Sequence, residues 1–162
     1  MTKSQYAILR VEKIKTMGNV SSSGSHMARS RPTPNADPAR TPSNRTYLGS
    51  ADPAGDVSQM LPALGERNEA GHLLRRKDSV LALEIIATTS PEWWQTASPA
   101  EQKDWIVQTG KWIVQHFGKN NVAHLQLHTD EATPHFTGFI VPRDPDTGSL
   151  NATRWMDGKK KL

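Results

Sequence analysis

"VAHLQLHTDEATPHFTGFIVP", residues 122–142, carries the pattern on which the fold of this 162-residue chain turns. Its flanks, "VAHLQLHTD" (122–130) and "HFTGFIVP" (135–142), are strand-like runs. The "EATP" between them is turn chemistry, so the spacing predicts an antiparallel hairpin. Side chains alternate across a strand, which puts His124, Gln126 and His128 on one face and Leu125 and Leu127 on the other. On the second strand His135 and Thr137 share a face that pairing can bring beside His128, with Asp130 and Glu131 in the short connection. Imidazole nitrogens with a carboxylate oxygen form a ligand set for Mn, Fe, Co or Zn. A lone histidine on a strand is more often a plain polar surface residue. Four such groups within the eight residues of "HTDEATPH" favour a metal site. His128-x-Asp130 also fits iron oxygenases with two histidines and one carboxylate, so metal binding alone leaves the reaction open.

Further out, "SVLALEIIATT" (79–89) is a continuous apolar run expected as a central buried strand, and "YAILRVEKI" (6–14) reads as the first strand. "SPAE" (98–101) is a helix start, with Ser98 as N-cap, Pro99 at the first helical position and Glu101 completing a capping box. The helix should run to Phe117 and stop at Gly118, with Trp105, Trp112, Ile113 and His116 or Phe117 as its core stripe. A capped helix between strands argues against the jelly roll of an oxygenase. From Lys15 to Asp56 apolar residues are sparse and Gly18-Asn19 signals a turn, so this span reads as one long loop. Segregated strands and helices imply an α+β class: an antiparallel sheet with helices packed on one face and the other face open.

Twenty Lys and Arg against sixteen Asp and Glu give a formal charge of +4, which leans toward a polyanionic partner. With no cysteine, disulfides and thiolate metal sites are excluded. No apolar run approaches the roughly 18 residues of a membrane span. A cytoplasmic location without membrane insertion is expected.

"HTDEATPHFTGFIVP" resembles the His-x-Asp-Glu-x-x-Pro-His-x-His motif of the Mob/Pre family of plasmid mobilisation relaxases, or plasmid recombination enzymes, in the HUH endonuclease superfamily. The similarity extends, in order, through "YAILRVEKIKTMGNV", "RPTPNADPARTPSNRTY", "RKDSVLALEIIATTSPEWW" and "GSLNATRWMDGKKKL". The resemblance implies a relaxase palm and a single catalytic domain over residues 1–162, truncated where family members continue. It implies metal-dependent nicking and joining of one DNA strand at a plasmid transfer origin, the DNA being single-stranded or a hairpin, with a conjugative coupling protein as a further partner. The metal-binding roles fall on His128, Glu131 and His135, with Mn2+ expected first and Mg2+ or another divalent ion as alternatives. Asp130 stays a supporting or alternative ligand. Thr137 stands where the motif ends in histidine, implying weaker metal binding and admitting a second reading, a relaxase-fold protein that only binds origin DNA.

The family's loop histidine falls on His26, between Gly18-Asn19 and Arg29, ahead of "NADPART" (35–41). "SGSHM" (23–27) also resembles a cloning remnant, but family-like sequence on both sides reads it as natural. As nucleophile, a histidine with its ordinary pKa of about 6.5 is largely neutral at pH 7, whereas a tyrosine near 10 must first lose a proton. The expected intermediate is a 5′-phosphoryl-histidine on His26. Tyr47 is the rival nucleophile, and nearby Asn44 matches a family motif position. Arg29, Arg31, Arg40, Arg45, Arg75, Arg76 and Lys77 are the expected DNA contacts.

Overall fold

A computed structural model describes residues 5–156. Its strands are β1 (Ala7–Ile14), β2 (Arg45–Leu48), β3 (Ala82–Thr89), β4 (Val122–His128) and β5 (His135–Ile140). They form one sheet in the order β1-β3-β5-β4-β2, with every neighbouring pair antiparallel. The helices are α1 (Met17–Met27), α2 (Pro53–Met60), α3 (Pro91–Thr96), α4 (Pro99–Phe117) and α5 (Thr153–Met156). The α+β class and the antiparallel sheet are as the sequence led us to expect, and the predicted hairpin forms with His128 opposite His135 and Gln126 opposite Thr137.

The predicted cap of α4 is present: Ser98 Oγ accepts from the Glu101 N–H at 3.2 Å, and Gly118, at φ 83°, ends the helix. Ile113 and Phe117 of α4 pack on Leu83, Ile85, Leu125, Leu127 and Phe136 to make the larger core. Trp105 packs against that core, but Trp112 is 44% exposed and stacks on His116 at its rim, so the expected stripe is narrower than its spacing suggested.

The expectation of a loop over 15–56 is overturned, because α1, β2 and α2 lie within it. "MGNVSSSGSHM" has low intrinsic helix propensity, with two glycines and four serines, and tertiary packing overrides that preference. Thr16 Oγ1 caps α1 by accepting from the Asn19 N–H at 3.2 Å, while Val20, Gly24 and Met27 form a buried stripe. Gly24 is needed for the approach of α2, since a β-carbon there would lie 3.2 Å from the Ala54 nitrogen. Val20, Met27 and Val57 of α2 then cover Ala82, Ala123, Phe139 and Val141. The sheet face expected to be open is therefore covered over these residues. Toward β1 and β3 it stays accessible as a cavity of about 650 Å3.

Candidate metal centre

The hairpin ends hold three ligand groups in place. One ligand atom from each of His128, Glu131 and His135 lies within 4.8 Å of the others. His128 Nδ1 is 3.3 Å from His135 Nε2, which is 3.1 Å from Glu131 Oε2. The outward ring nitrogens fix the tautomers. His128 Nε2–H donates to the Met27 carbonyl at 2.9 Å and His135 Nδ1–H to the Thr133 carbonyl at 3.1 Å, which leaves the lone pairs of His128 Nδ1 and His135 Nε2 directed at each other and at Glu131. Burial, reinforced by the Arg29 charge and by His135, pushes His128 down to about 4, so it is neutral at pH 7 as a ligand must be. Two imidazoles and one carboxylate on one side of a point fit a divalent ion.

Asp130 is not one of this group. It is buried and gripped by the Arg29 guanidinium through Nε to Oδ2 and Nη2 to Oδ1, both 2.9 Å, and by Thr41 Oγ1 at 2.9 Å. Burial alone would raise its pKa, but these donors hold the carboxyl well below the usual carboxylate range. Asp130 is thus the counter-charge that keeps Arg29 at the site. Arg29 Nη2 also reaches His128 Nδ1 and Glu131 Oε2, each at 3.2 Å, so a cation stands at the edge of the ligand set. Arg29 is the non-glycine residue with positive φ (56°) among the described residues, a left-handed conformation that lets the chain leave α1 and aim this side chain back at the hairpin.

His26 lies in the last turn of α1 rather than in a loop, exposed and lining the 650 Å3 cavity together with His128, Glu131 and His135. Its neighbour Met27 carries the carbonyl that holds His128, so the turn bearing His26 is tied directly to the ligand set. Thr137 lines the same cavity, two residues beyond His135 on the same face of β5. Tyr47 is half-exposed and lies away from this cavity, its ring 5.9 Å from that of Phe136 on the α4 side, across the sheet from His135. Asn44 Oδ1 accepts from the Thr129 N–H at 2.8 Å and ties the turn after Thr41 to the end of β4.

The arginines divide. Arg40 Nη2 donates to the carbonyls of Thr129 and Glu131 and clamps the hairpin turn, while the residue remains exposed. Arg75 donates to the Pro62 carbonyl at 3.4 Å. Arg31, Arg45, Arg76 and Lys77 are exposed. Arg31 shares a groove with Arg29, whereas Arg76 lines a separate cavity with Lys13 and Arg67.

Two cavity residues escaped sequence reasoning. Glu84, the one charged residue in the apolar run "LALEIIA" (81–87), faces the cavity and accepts from Ser23 Oγ at 3.2 Å. A lone charge inside an apolar strand was the signal that could have found it. Ser23 offered none, because the helix that aims it was read as loop.

The profile that describes plasmid recombination enzymes, Mob/Pre, matches residues 3–162. The chain belongs to the Mob/Pre family. It is 50% identical to a 65 kDa protein of Zymomonas mobilis over 157 residues, 97% of this chain and 26% of that protein. It is 30% identical over 139 residues to a plasmid recombination enzyme type 2 of Staphylococcus aureus, covering 85% of this chain and 33% of the relative. The chain therefore spans about a quarter to a third of the length of these curated relatives. Among solved structures, the Mn-bound relaxase domain of MobM with plasmid pMV158 oriT DNA superposes with a TM-score of 0.77 at 22% identity, over 95% of this chain and 78% of that one. This likeness shows that the two share a fold. Among the described residues of this Mob/Pre chain, no helix is long and apolar enough to cross a membrane.

Proposed function

We propose that this chain is a relaxase domain that nicks and rejoins one DNA strand at a plasmid transfer origin, with His26 as nucleophile and a divalent ion, Mn2+ first, held by His128, Glu131 and His135. The observation that carries this reading is the single cavity lined by an exposed histidine and by a three-ligand set whose tautomers are fixed from outside. Family membership and the Mn and oriT DNA bound to MobM support it.

His26 stands on a helix end that is tied to the ligand set through the Met27 carbonyl. A ring nitrogen of His26 attacks the scissile phosphorus with its lone pair, the bond to O3′ breaks, and the electron pair leaves with that oxygen. The products are a 3′-hydroxyl and a 5′-phosphoryl-histidine, and the reverse attack by a 3′-hydroxyl rejoins the strand. Arg29, held in place by Asp130, sits where it can bind a phosphate oxygen and offset its charge in the transition state. A divalent ion bound to the three ligands supplies Lewis-acid polarisation of the phosphate. Exposed Arg31, Arg45, Arg76 and Lys77 extend the positive field for the DNA backbone.

The test is incubation with Mn2+ and a randomised pool of single-stranded DNA, followed by isolation of covalent adduct. An adduct that hydrolyses in acid, as a phosphoramidate does, and that disappears in His26→Ala is the expected result. An acid-stable adduct would overturn the assignment to histidine. Retained DNA binding with no adduct and no response to Mn2+ would favour a protein that binds origin DNA without cutting it.

A further inference from the structure

We propose that the outer edge of β1 is an interface at which a second copy of this chain pairs antiparallel, continuing the sheet through both copies. β1 ends the strand order, and among the described residues it pairs with β3 alone. The Tyr6 carbonyl accepts from the Ser90 N–H and the Ile14 carbonyl from the Leu81 N–H, both at 2.8 Å. Even-numbered residues of the strand therefore turn their backbone groups to β3, and odd-numbered ones turn theirs outward. Such a row of unpaired N–H and C=O groups is a template for another strand.

Natural edges are guarded by charge, so the charges on β1 decide which strand can approach. Arg10 and Glu12 are exposed, and among the described residues neither forms an ion pair. Glu12 stands directly opposite Glu84 across the β1–β3 pair, an unfavourable placement for a strand left alone. Arg10 and Glu12 flank Val11, one on either side. When a second β1 pairs about a two-fold axis through Val11, each Arg10 faces the partner's Glu12. Moving the axis to Arg10 or to Glu12 sets identical charges face to face, so charge selects the register centred on Val11. In that register the odd-numbered residues oppose one another, as the outward backbone groups require. The partner's Arg10 then supplies a counter-charge beside the facing carboxylates Glu12 and Glu84.

The α4 side of the edge agrees with this pairing. Leu9 and Trp112 are both well exposed, and with Ala7 and Trp105 they line a groove of about 580 Å3 between β1 and α4. The partner's Leu9 and Val11 lie on this same face of the paired sheet, so the two grooves meet and apolar surface is withdrawn from water. On the other face, Ile8 of β1 lines the cavity of the candidate metal centre, so the pair presents both centres on one side.

Sedimentation velocity of the full chain over a dilution series tests the pairing, and neither His26 nor DNA takes part in the readout. The wild-type protein should pass from one chain to two with rising concentration, and should dissociate more readily in high salt. Arg10→Glu and Glu12→Arg each set like charges across the two-fold axis, and each should weaken the dimer by about tenfold or more. The two combined restore an opposite-charge pair and should recover the wild-type affinity, with thermal melts showing that all three variants stay folded. A protein that sediments as one chain at every concentration would overturn the proposal. So would a dimer that neither single reversal weakens, or a double variant no tighter than the single ones.

Discussion

The hairpin β4–β5 and the helix α1 meet at one site but are built by opposite means. All seven residues of β4 are buried, and the turn that follows is clamped by Arg40, Asn44 and Thr41. Helix α1 is rich in serine and glycine, leaves His26 exposed, and is kept in place by a few buried side chains and a Thr16 cap. The candidate ligands thus sit on a rigid platform, whereas His26, the proposed nucleophile, sits on an element whose position depends on its contacts. Two residues join the halves: Met27, whose carbonyl accepts from His128, and Arg29, whose guanidinium grips Asp130 and reaches His128 and Glu131. This difference lets chemistry and stability be perturbed separately.

The sharpest break in the comparison is His26→Ala. An exposed side chain on the surface of α1 should change stability by no more than about 0.5 kcal/mol, while covalent adduct falls below detection. Gel analysis of the adduct beside a thermal melt and a Mn2+ titration checks all three. A large loss of stability would show that α1 is anchored through His26 rather than through its buried stripe.

Next in size is the link itself. Arg29→Ala removes the partner of a buried carboxylate and should cost about 3–5 kcal/mol, the usual penalty for leaving one charge of a buried pair alone. Arg29→Gly should be less damaging by about 1 kcal/mol, since glycine adopts the left-handed backbone at φ 56° without strain. Urea denaturation of the two variants reads the difference. Equal losses would mean that the backbone at Arg29 stores no strain.

The third prediction is a pH dependence. His128 is neutral in the fold and held down to about 4, whereas an unfolded chain restores it to about 6.5. Between those values the unfolded state binds the extra proton, so stability rises with pH and is lost as pH falls from about 6.5 to about 4, by up to about 3 kcal/mol. Below pH 4 a further loss is expected as Asp130, held low by Arg29, is protonated. Metal-free protein unfolded at a series of pH values checks this, and a flat profile through the upper window would show that His128 is not buried as a neutral ligand.

The hairpin was legible in the sequence because a period-two pattern and a proline-containing turn act locally, and α4 because "SPAE" is a local signal. Helix α1 was not. Gly18-Asn19 at its start reads as a turn, and its stripe of Val20, Gly24 and Met27 includes a glycine whose place is clear only once Ala54 is packed against it. The part played by Asp130 was hidden for a related reason, because carboxylates in a histidine cluster look alike until the tertiary partner Arg29 is placed. Tyr47 was kept as a rival since a strand of four residues inside a long polar span gives no clue to its face.

The smallest effect tests the departure of this chain from its family's motif. Thr137 is buried, two residues from His135 on the cavity face of β5, opposite Ile86 on β3 and Gln126 on β4. An imidazole there would point to the same side of the sheet as His135 and bring a fourth nitrogen toward the ligand set, and the cavity in front of it offers room for the larger ring. Thr137→His should therefore tighten Mn2+ binding by about tenfold, or about 1.4 kcal/mol. Counting free Mn2+ by electron paramagnetic resonance against added protein measures it, with His135→Ala as the control that weakens binding. Unchanged affinity in the variant would show that three ligands complete the protein's share of the site and that Thr137 costs the rigid half of the molecule nothing.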